Sequence, residues 1–529
     1  MNLYKNKPCE ICKDHAIYEN DAISKNYSPI VTDNNNLILP NDESAIREFY
    51  KDGKVLITGG TGFIGKALAE KLLRTCRDLS KIYCLIRPKR GQSVEERFKI
   101  LFQSSVFDRI RAEEDGEKLL SKITCISGDI TEPNLGMSED HQKTLLDEVT
   151  VVFHSAATVK FNESLEKAAR LNTIGTHRVV LFCRQMTQLK VLIHVSTAYS
   201  NADKEDIGET VYPIPEKITC DMYPNDVLPP ELLKKIGEKM EKNHPNTYTA
   251  TKAMAEWVVA EYADNIPAAI VRPSIVTAAL KEPFEGWVDN TSGITGIMMG
   301  IGQGIIRSVI CDQRLVADII PVDIVVNTLV VSAWHTSVSG SNTIQVYNCT
   351  SGTLNPLSWE ELGALIQRHS LDSPSKHVRW YPGFAFRTNR FMHFIIEMMF
   401  HFFPAFLTDT ALRLTGSQPI MLSIVKRLRI MAQTGEFFVL HQWNFACENL
   451  LGLQEAMMHP YDYEVFNVDV TRLDWDSYMK QYILGIRKYI LKDSIDTIPI
   501  AQRKLQRLYW LHKALQVMMV AIIFNLIRT

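Results

Sequence analysis

A tyrosine and a lysine one helical turn apart, Tyr248 and Lys252 in the run YTATK, could do acid–base chemistry at a carbonyl group. Residues four apart share a helix face, so the phenol and the ammonium lie side by side. A phenol of pKa about 10 exchanges protons poorly at neutral pH, and a neighbouring ammonium lowers that value by favouring the phenolate. The spacing therefore predicts Tyr248 as a proton donor, with Lys252 tuning it and clasping the ribose hydroxyls of a bound nucleotide. A hydroxyl pair, Ser196-Thr197, follows the β-branched run VLIHV. At a strand end such a side chain can hydrogen-bond a substrate carbonyl, and Thr197 is the expected polariser with Ser196 as the alternative. Capping the strand end is the plainer role for either hydroxyl.

The hydride source is encoded further upstream. The run KVLIT leads directly into Gly59-Gly60-Thr61-Gly62-Phe63-Ile64-Gly65 and then a helical pattern. Gly59 permits a tight turn, Gly62 lets backbone approach a pyrophosphate, and Gly65 allows close helix-to-strand packing, while the helix N-terminus supplies N–H donors. Thr61, Phe63 and Ile64 complete this loop and are expected beside the dinucleotide. The spacing is G-x-x-G-x-x-G, and the strand before and helix after it supply the context the motif needs. Where an acid would bind a ribose 2′-hydroxyl, the chain carries Arg87-Pro88-Lys89-Arg90. Arg87 with Lys89 or Arg90 can hold a 2′-phosphate, which favours NADPH over NADH; a solvated basic loop is the alternative. Asp129 in GDI is expected at the adenine. Ala156, after the fourth strand, is expected along the adenine ribose and nicotinamide side, with a plain strand-end role the alternative for both Asp129 and Ala156, and backbone groups at Pro273 and Ile275 are expected near the carboxamide. His154 and His194 read as structural strand-end residues.

Elements that hold these groups are legible in the hydrophobic pattern. KVLIT, KIYCLI, ITCIS, VTVVFH, VLIHVS and AAIVR alternate with amphipathic stretches, which predicts an α/β fold with a Rossmann-type, doubly wound parallel sheet. Ile64, Leu68 and Leu72 fall at helical spacing and should pack the first helix on that sheet. Beyond about Val346 the chain turns to aromatic- and Met-rich helical segments. The expected organisation is a flexible leader at 1–48, a dinucleotide-binding reductase domain at 49–350, a smaller helical domain at 351–505 and an apolar, membrane-associating segment at 506–529. Within that last part, 514–527 is interrupted by Gln516 and Asn525 and is shorter than the roughly 20 residues a spanning helix needs. It fits a membrane-dipping helix, a weak span extended back towards Leu508, or a core helix. The run 391–407 carries Glu397 and Pro404, so burial in protein or a seat at an interface suits it better than a bilayer crossing.

Composition excludes several classes. With 58 basic against 60 acidic residues, nothing favours a polyanion, and nucleic acid is not an expected partner. At 529 residues and 46% hydrophobic composition, the chain can bury more than one core. Ten cysteines lack a repeating spacing and the first residues lack an apolar run, which points to a reducing compartment. Cys9 and Cys12 form one C-x-x-C without a second pair or a nearby His, so no metal is expected.

Read in order, GGTGFIG, LIRPKRG, HSAATVKF, HVSTAYSN, YTATK, VRPSIV and IIPVDIVVN resemble the motif series of alcohol-forming fatty acyl-CoA reductases, particularly those of arthropods. The resemblance covers about residues 49–500. The glycine loop and Y-x-x-x-K are common to extended short-chain reductases, whereas HSAATVKF, RPKRG and PVDIVVN are particular to this family. It implies NADPH-dependent reduction of a long-chain or very-long-chain acyl-CoA, first to an aldehyde with loss of CoA and then to a primary alcohol. It also implies that the helical domain shapes an acyl tunnel, and that the protein is membrane-associated and cytosol-facing at the endoplasmic reticulum or peroxisome. The weak terminal segment departs from the more convincing anchor of many relatives. Competing readings are a one-step reductase or epimerase of a sterol or nucleotide sugar, disfavoured by the large second domain, and a non-catalytic NADPH-bound lipid sensor, disfavoured by the intact Thr197, Tyr248 and Lys252.

Overall fold

The computed structural model describes residues 32–33, 36–37, 44–88, 91–213, 244–340 and 343–528. Seven short runs form one sheet: β1 Lys54–Thr58, β2 Lys81–Ile86, β3 Ile123–Ser127, β4 Val151–His154, β5 Val191–Val195, β6 Ala268–Pro273 and β7 Gln345–Cys349. Their order is β7-β6-β5-β4-β1-β2-β3, and every neighbouring pair is parallel. The chain steps outward from β1 to β3, then restarts at β4 on the other side of β1. A doubly wound sheet of this kind opens a crevice at that reversal, outside the carboxyl ends of its strands. Register levels those ends, because Thr58 pairs with His154, His154 with His194, and Val195 with Val271. Six of the strands coincide with the expected runs. The seventh, QVYNC, mixes polar and apolar residues and gave no clear strand pattern.

Nine helices matter for the site and its surroundings. They are α1 Phe63–Thr75, α2 Val94–Phe102, α3 Thr247–Tyr262, α4 Val322–Ser339, α5 Trp359–Asp372, α6 Arg390–Leu414, α7 Met421–Val439, α8 Trp475–Gly485 and α9 Ile498–Arg528. Leu68 and Leu72 of α1 are fully buried with Val325 and Leu329 of α4 and Val55 and Ile57 of β1. That core also takes Leu450, Leu453, Phe466 and Val470 from late in the chain. A second core joins Ala278, Met298 and Ile319 to Leu362, Val425, Tyr478 and Tyr482. The helical C-terminal part and the sheet-bearing part therefore share their cores.

Order begins before Phe49, where the sequence pattern placed it. Ser44 caps a helix over Ala45–Tyr50, Ile46 and Tyr50 are fully buried, and the Tyr50 hydroxyl donates to the Val330 carbonyl at 3.0 Å. One short helix offers too few turns for a periodicity to register, which is why 44–48 read as leader. The rest of that leader, with Cys9 and Cys12, lies outside the described residues apart from two short strands at 32–33 and 36–37. The run 391–407 is buried along one face only: within α6, Glu397, His401 and Ala405 are buried, whereas Phe391, Phe394, Phe403, Phe406 and Leu407 are exposed. Helix α9 takes in nearly all of 506–529, held by buried Ala501 and Leu505 near its start and exposed along its apolar end.

Candidate active site

The crevice between β1 and β4 is closed from below by glycine. Gly59 has φ +78°, and a side chain there would meet Ala156 N at 2.8 Å and the Ser155 carbonyl carbon at 2.9 Å. A β-carbon on Gly65 would overlap the Gly59 carbonyl oxygen, so these two positions hold α1 tightly against the loop. Gly62 caps α1 by backbone alone and no acid stands in the first turn, which leaves N–H groups and the positive helix end facing the crevice. This cradle fits a pyrophosphate. Ala156 is positioned by its own N–H, which donates to the Thr58 hydroxyl at 3.3 Å. Phe63 stacks on Trp287 at 5.2 Å, and Ile64 packs against the main core.

At the end of β2, Arg87 is about half exposed, and its Nε lies 3.7 Å from the Asp129 carboxylate. Asp129 is itself fixed by accepting from the Thr131 N–H and hydroxyl, both at 2.9 Å. The fold thus brings together Arg87 and Asp129, which the sequence placed in one nucleotide site from separate loops. Lys89 lies outside the described residues. Arg97 of α2 was not anticipated: it donates to the Thr61 hydroxyl at 3.1 Å and to the Arg87 carbonyl. A second guanidinium therefore stands between the glycine loop and the end of β2. Nothing local marks it, because Arg97 reads as one more charge on an amphipathic helix.

The acid–base group forms where α3 crosses the end of β5. Asn246 caps α3 by accepting from the Thr249 N–H at 3.0 Å, which sets Tyr248 in the first turn facing Thr197. The Thr197 hydroxyl stands near enough to the phenol to favour its ionised form, while it donates to the Pro273 carbonyl at 3.5 Å and accepts the Tyr199 N–H at 3.4 Å. Phe161 stacks flat on the Tyr248 ring, with centroids 5.6 Å apart and planes 16° apart. Burial pushes Tyr248 up to about 12, with the Thr197 bond opposing and Glu256 reinforcing the rise. Lys252 donates to the Val195 carbonyl at 2.6 Å, and burial pulls it down to about 8. The expected depression of Tyr248 by Lys252 is absent from this geometry, because the ammonium is bonded to the strand end and desolvation dominates the phenol. The Pro273 carbonyl reaches this group by accepting from Thr197, whereas the Ile275 N–H is taken by the Asp318 carbonyl at 3.3 Å.

Two further residues organise this group. Glu256, one turn beyond Lys252, accepts the Ser196 hydroxyl at 2.5 Å and both Nε and Nη2 of Arg272 at 2.9 and 2.7 Å. Ser196 is therefore committed to Glu256, and Thr197 keeps the position beside Tyr248. The signal was present as a continuation of the four-residue spacing, Tyr248, Lys252, Glu256, but its partners lie on β5 and β6. His154 bonds Thr58 at 2.7 Å and Thr176 at 3.0 Å, a structural role in keeping with its sequence reading.

An aromatic wall closes the outer side. Phe438, near the end of α7, packs on Phe161 at 5.5 Å and on Tyr199 at 5.0 Å, and Trp443 packs on Tyr199 at 5.2 Å. The C-terminal part of the chain thus supplies apolar surface next to the ring that stacks on Tyr248.

A doubly wound parallel sheet with this glycine cradle and this hydroxyl, phenol and ammonium at its carboxyl edge defines a nicotinamide-dependent reductase of the extended short-chain type. Family models described as male sterility protein match residues 57–329 and 400–493. The chain is 37% identical to fatty acyl-CoA reductase 1 of Rattus norvegicus over 91% of its length and 93% of the relative's. It is 38% identical to fatty acyl-CoA reductase 1 of Xenopus laevis over the same shares. Among solved structures it is similar in fold to the terminal R domain of the myxalamid PKS-NRPS pathway, with TM-score 0.55 and 19% identity over 82% of this chain and 90% of that one. The chain belongs to the fatty acyl-CoA reductase family.

Proposed function

We propose that this protein reduces long-chain or very-long-chain fatty acyl-CoA to the primary alcohol and free CoA, using two NADPH in succession at one site, while associated with a membrane through α9. The observation that carries the reading is the Thr197–Tyr248 pair set beside the aromatic wall of Phe161, Tyr199 and Phe438. An apolar chain can lie along that wall with its carbonyl at the two hydroxyls.

A nicotinamide bound on the glycine cradle supplies the hydride. Thr197 and Tyr248 donate hydrogen bonds to the carbonyl oxygen, and those bonds strengthen as negative charge develops there. The first reduction gives a hemithioacetal, whose collapse breaks the carbon–sulfur bond and releases CoA. The second reduction acts on the aldehyde, which needs the same oxyanion contacts. Tyr248, held protonated by burial, gives its proton to the alkoxide, a far stronger base than the phenolate left behind. Lys252 sits where its remaining N–H groups can clasp the ribose. Preference for NADPH is supported by Arg97, which donates to both Thr61 and the Arg87 carbonyl, and by Arg87 at the end of β2, two guanidiniums suited to a 2′-phosphate.

The cytosolic face of the endoplasmic reticulum or peroxisome is the proposed location, where an apolar α9 and a membrane-partitioned substrate meet. Incubation of the detergent-solubilised protein with palmitoyl-CoA and NADPH tests the reading. Hexadecanol at two NADPH per CoA released is expected; cofactor binding without aldehyde or alcohol overturns it.

A further inference from the structure

Helix α6 is inside out. His393, Glu397, His401, Ala405 and Asp409 recur every four residues and so share one stripe. That stripe faces the protein: Glu397, His401, Ala405 and Asp409 are buried and His393 half-buried. Each polar member is bonded there. His401 Nε2 accepts the Arg307 N–H at 2.8 Å, His393 Nδ1 meets the Ser308 hydroxyl at 2.8 Å, and Glu397 pairs with Arg429 at 3.3 Å. Asp409 accepts the N–H groups of Ile420, Met421 and Leu422 at 2.8–3.0 Å and so caps α7. The opposite face carries Phe391, Phe394, Phe403, Phe406 and Leu407, each more than half exposed. A surface helix in water has its apolar stripe inward and its charges outward. Here the order is reversed, which calls for a partner apolar enough to cover the outer face.

Charge identifies that partner. Between residues 388 and 436 the carboxylates are all committed inward: Asp409 caps α7, Glu397 pairs with Arg429 and half-buried Glu436 pairs with Arg390, while Arg413, Lys426 and Arg427 stay exposed. Helix α9 leaves the body close by. Its His512 accepts from Trp380 Nε1 at 3.2 Å and, like His401 of α6, lies within electrostatic reach of Arg307. It contains no acid, and exposed Arg503, Arg507 and Lys513 precede exposed Leu515, Val517, Val520, Ile522 and Phe524. An apolar face whose unpaired rim charges are cationic, next to a second such element, fits the headgroup and acyl boundary of an anionic membrane.

We propose that α6 lies in one leaflet of an anionic phospholipid bilayer, with Phe391, Phe394, Phe403, Phe406 and Leu407 among the acyl chains and Arg413, Lys426 and Arg427 at the phosphates. This rests on the membrane association proposed for α9 and extends it to an element that the sequence left between burial and an interface. Although α6 is long and apolar enough to cross a membrane by length and composition, its bonded polar stripe holds one side to the body, so it lies on the membrane and does not span it. Helix α7, capped by Asp409 at this seat, ends with Phe438 on Phe161, the ring that stacks on Tyr248. It therefore leads from the proposed lipid surface to the acid–base group, a path for an acyl chain drawn from the leaflet.

Full-length protein with Phe394→Trp, and separately with Val520→Trp on α9, is mixed with vesicles of phosphatidylcholine and phosphatidylserine carrying brominated acyl chains. The fluorescence added by each tryptophan is read against the parent. Quenching at position 394 is expected, together with an at least about tenfold loss of vesicle binding in the triple variant Phe394→Ser, Phe403→Ser, Phe406→Ser. Reduction of a short, water-soluble acyl-CoA by that variant at the parental rate shows that it is folded. Quenching at 520 without quenching at 394 overturns the α6 seat and leaves the α9 association standing. Quenching at 394 alone supports the seat and removes α9 as the anchor. Unchanged vesicle binding with conversion of a dimer to a monomer in the triple variant assigns the face to a second copy and overturns the proposal.

Discussion

The Glu256 carboxylate takes the Ser196 hydroxyl at 2.5 Å, and this bond gives two adjacent hydroxyls different partners. Ser196 is spent on the buried pair that Glu256 makes with Arg272, whereas Thr197, with only a long bond to the Pro273 carbonyl, stands on the Tyr248 side. Thr197→Val is expected to lower kcat by about 10² or more, the usual scale for losing one oxyanion donor. Ser196→Ala is expected to cost less than about tenfold, since a group outside the reacting centre makes no bond specific to the transition state. Steady-state rates with acyl-CoA and with the free aldehyde compare them; the reverse ranking would assign the polariser to Ser196.

Tyr248→Phe keeps the ring on Phe161 and removes only the proton donor. Turnover should be lost with NADPH affinity nearly unchanged, as read by fluorescence titration of the cofactor. A variant that still reduces the aldehyde at the parental rate would show that another group delivers the proton.

The pH profile should have an alkaline limb set by Lys252. Burial lowers its pKa to about 8 and raises that of Tyr248 to about 12, so the ammonium loses its proton while the phenol stays protonated. The charged lysine is the competent form, and kcat/KM, which reports the free enzyme, should be level below about pH 8 and fall above it. Lys252→Arg, if active, should remove the fall, because a guanidinium stays charged across this range. A limb that persists in Lys252→Arg would belong to some other group.

Arg97 was invisible in the sequence, yet it touches both Thr61 and Arg87. Arg97→Ala and Arg87→Ala should each raise the KM for NADPH by about tenfold or more, with much smaller effects on NADH, if each guanidinium holds the 2′-phosphate through charge-assisted bonds. Equal losses for both cofactors would mean that these residues only shape the loop.

Glu256→Gln leaves the guanidinium of Arg272 buried with a neutral partner. Breaking a buried pair costs roughly 3–5 kcal/mol, so the thermal midpoint should drop clearly at fixed scan rate and detergent. Glu256→Gln with an unchanged midpoint would show that Arg272 is satisfied by the carbonyls of Gly208 and Thr210, which it also contacts at 3.0 and 2.8 Å.

What the sequence by itself determined was local in physical origin. Runs such as KVLIT and VLIHV read as buried strands, glycines at three-residue spacing between a strand and a helix read as a phosphate cradle, and residues four apart on a helix must share a face. These gave six of the seven strands, the cradle, and Thr197, Tyr248 and Lys252 as candidates. Tertiary structure decided what depends on partners distant along the chain. It committed Ser196 to Glu256 and so gave the two hydroxyls different partners, moved Lys252 onto the Val195 carbonyl, and brought Arg97 to Thr61 across 36 positions. It also turned α6 with Glu397, His401 and Asp409 inward. The stripe is written in the spacing, but which side meets the body depends on Arg307, Arg429 and the start of α7, whose positions no local pattern encodes.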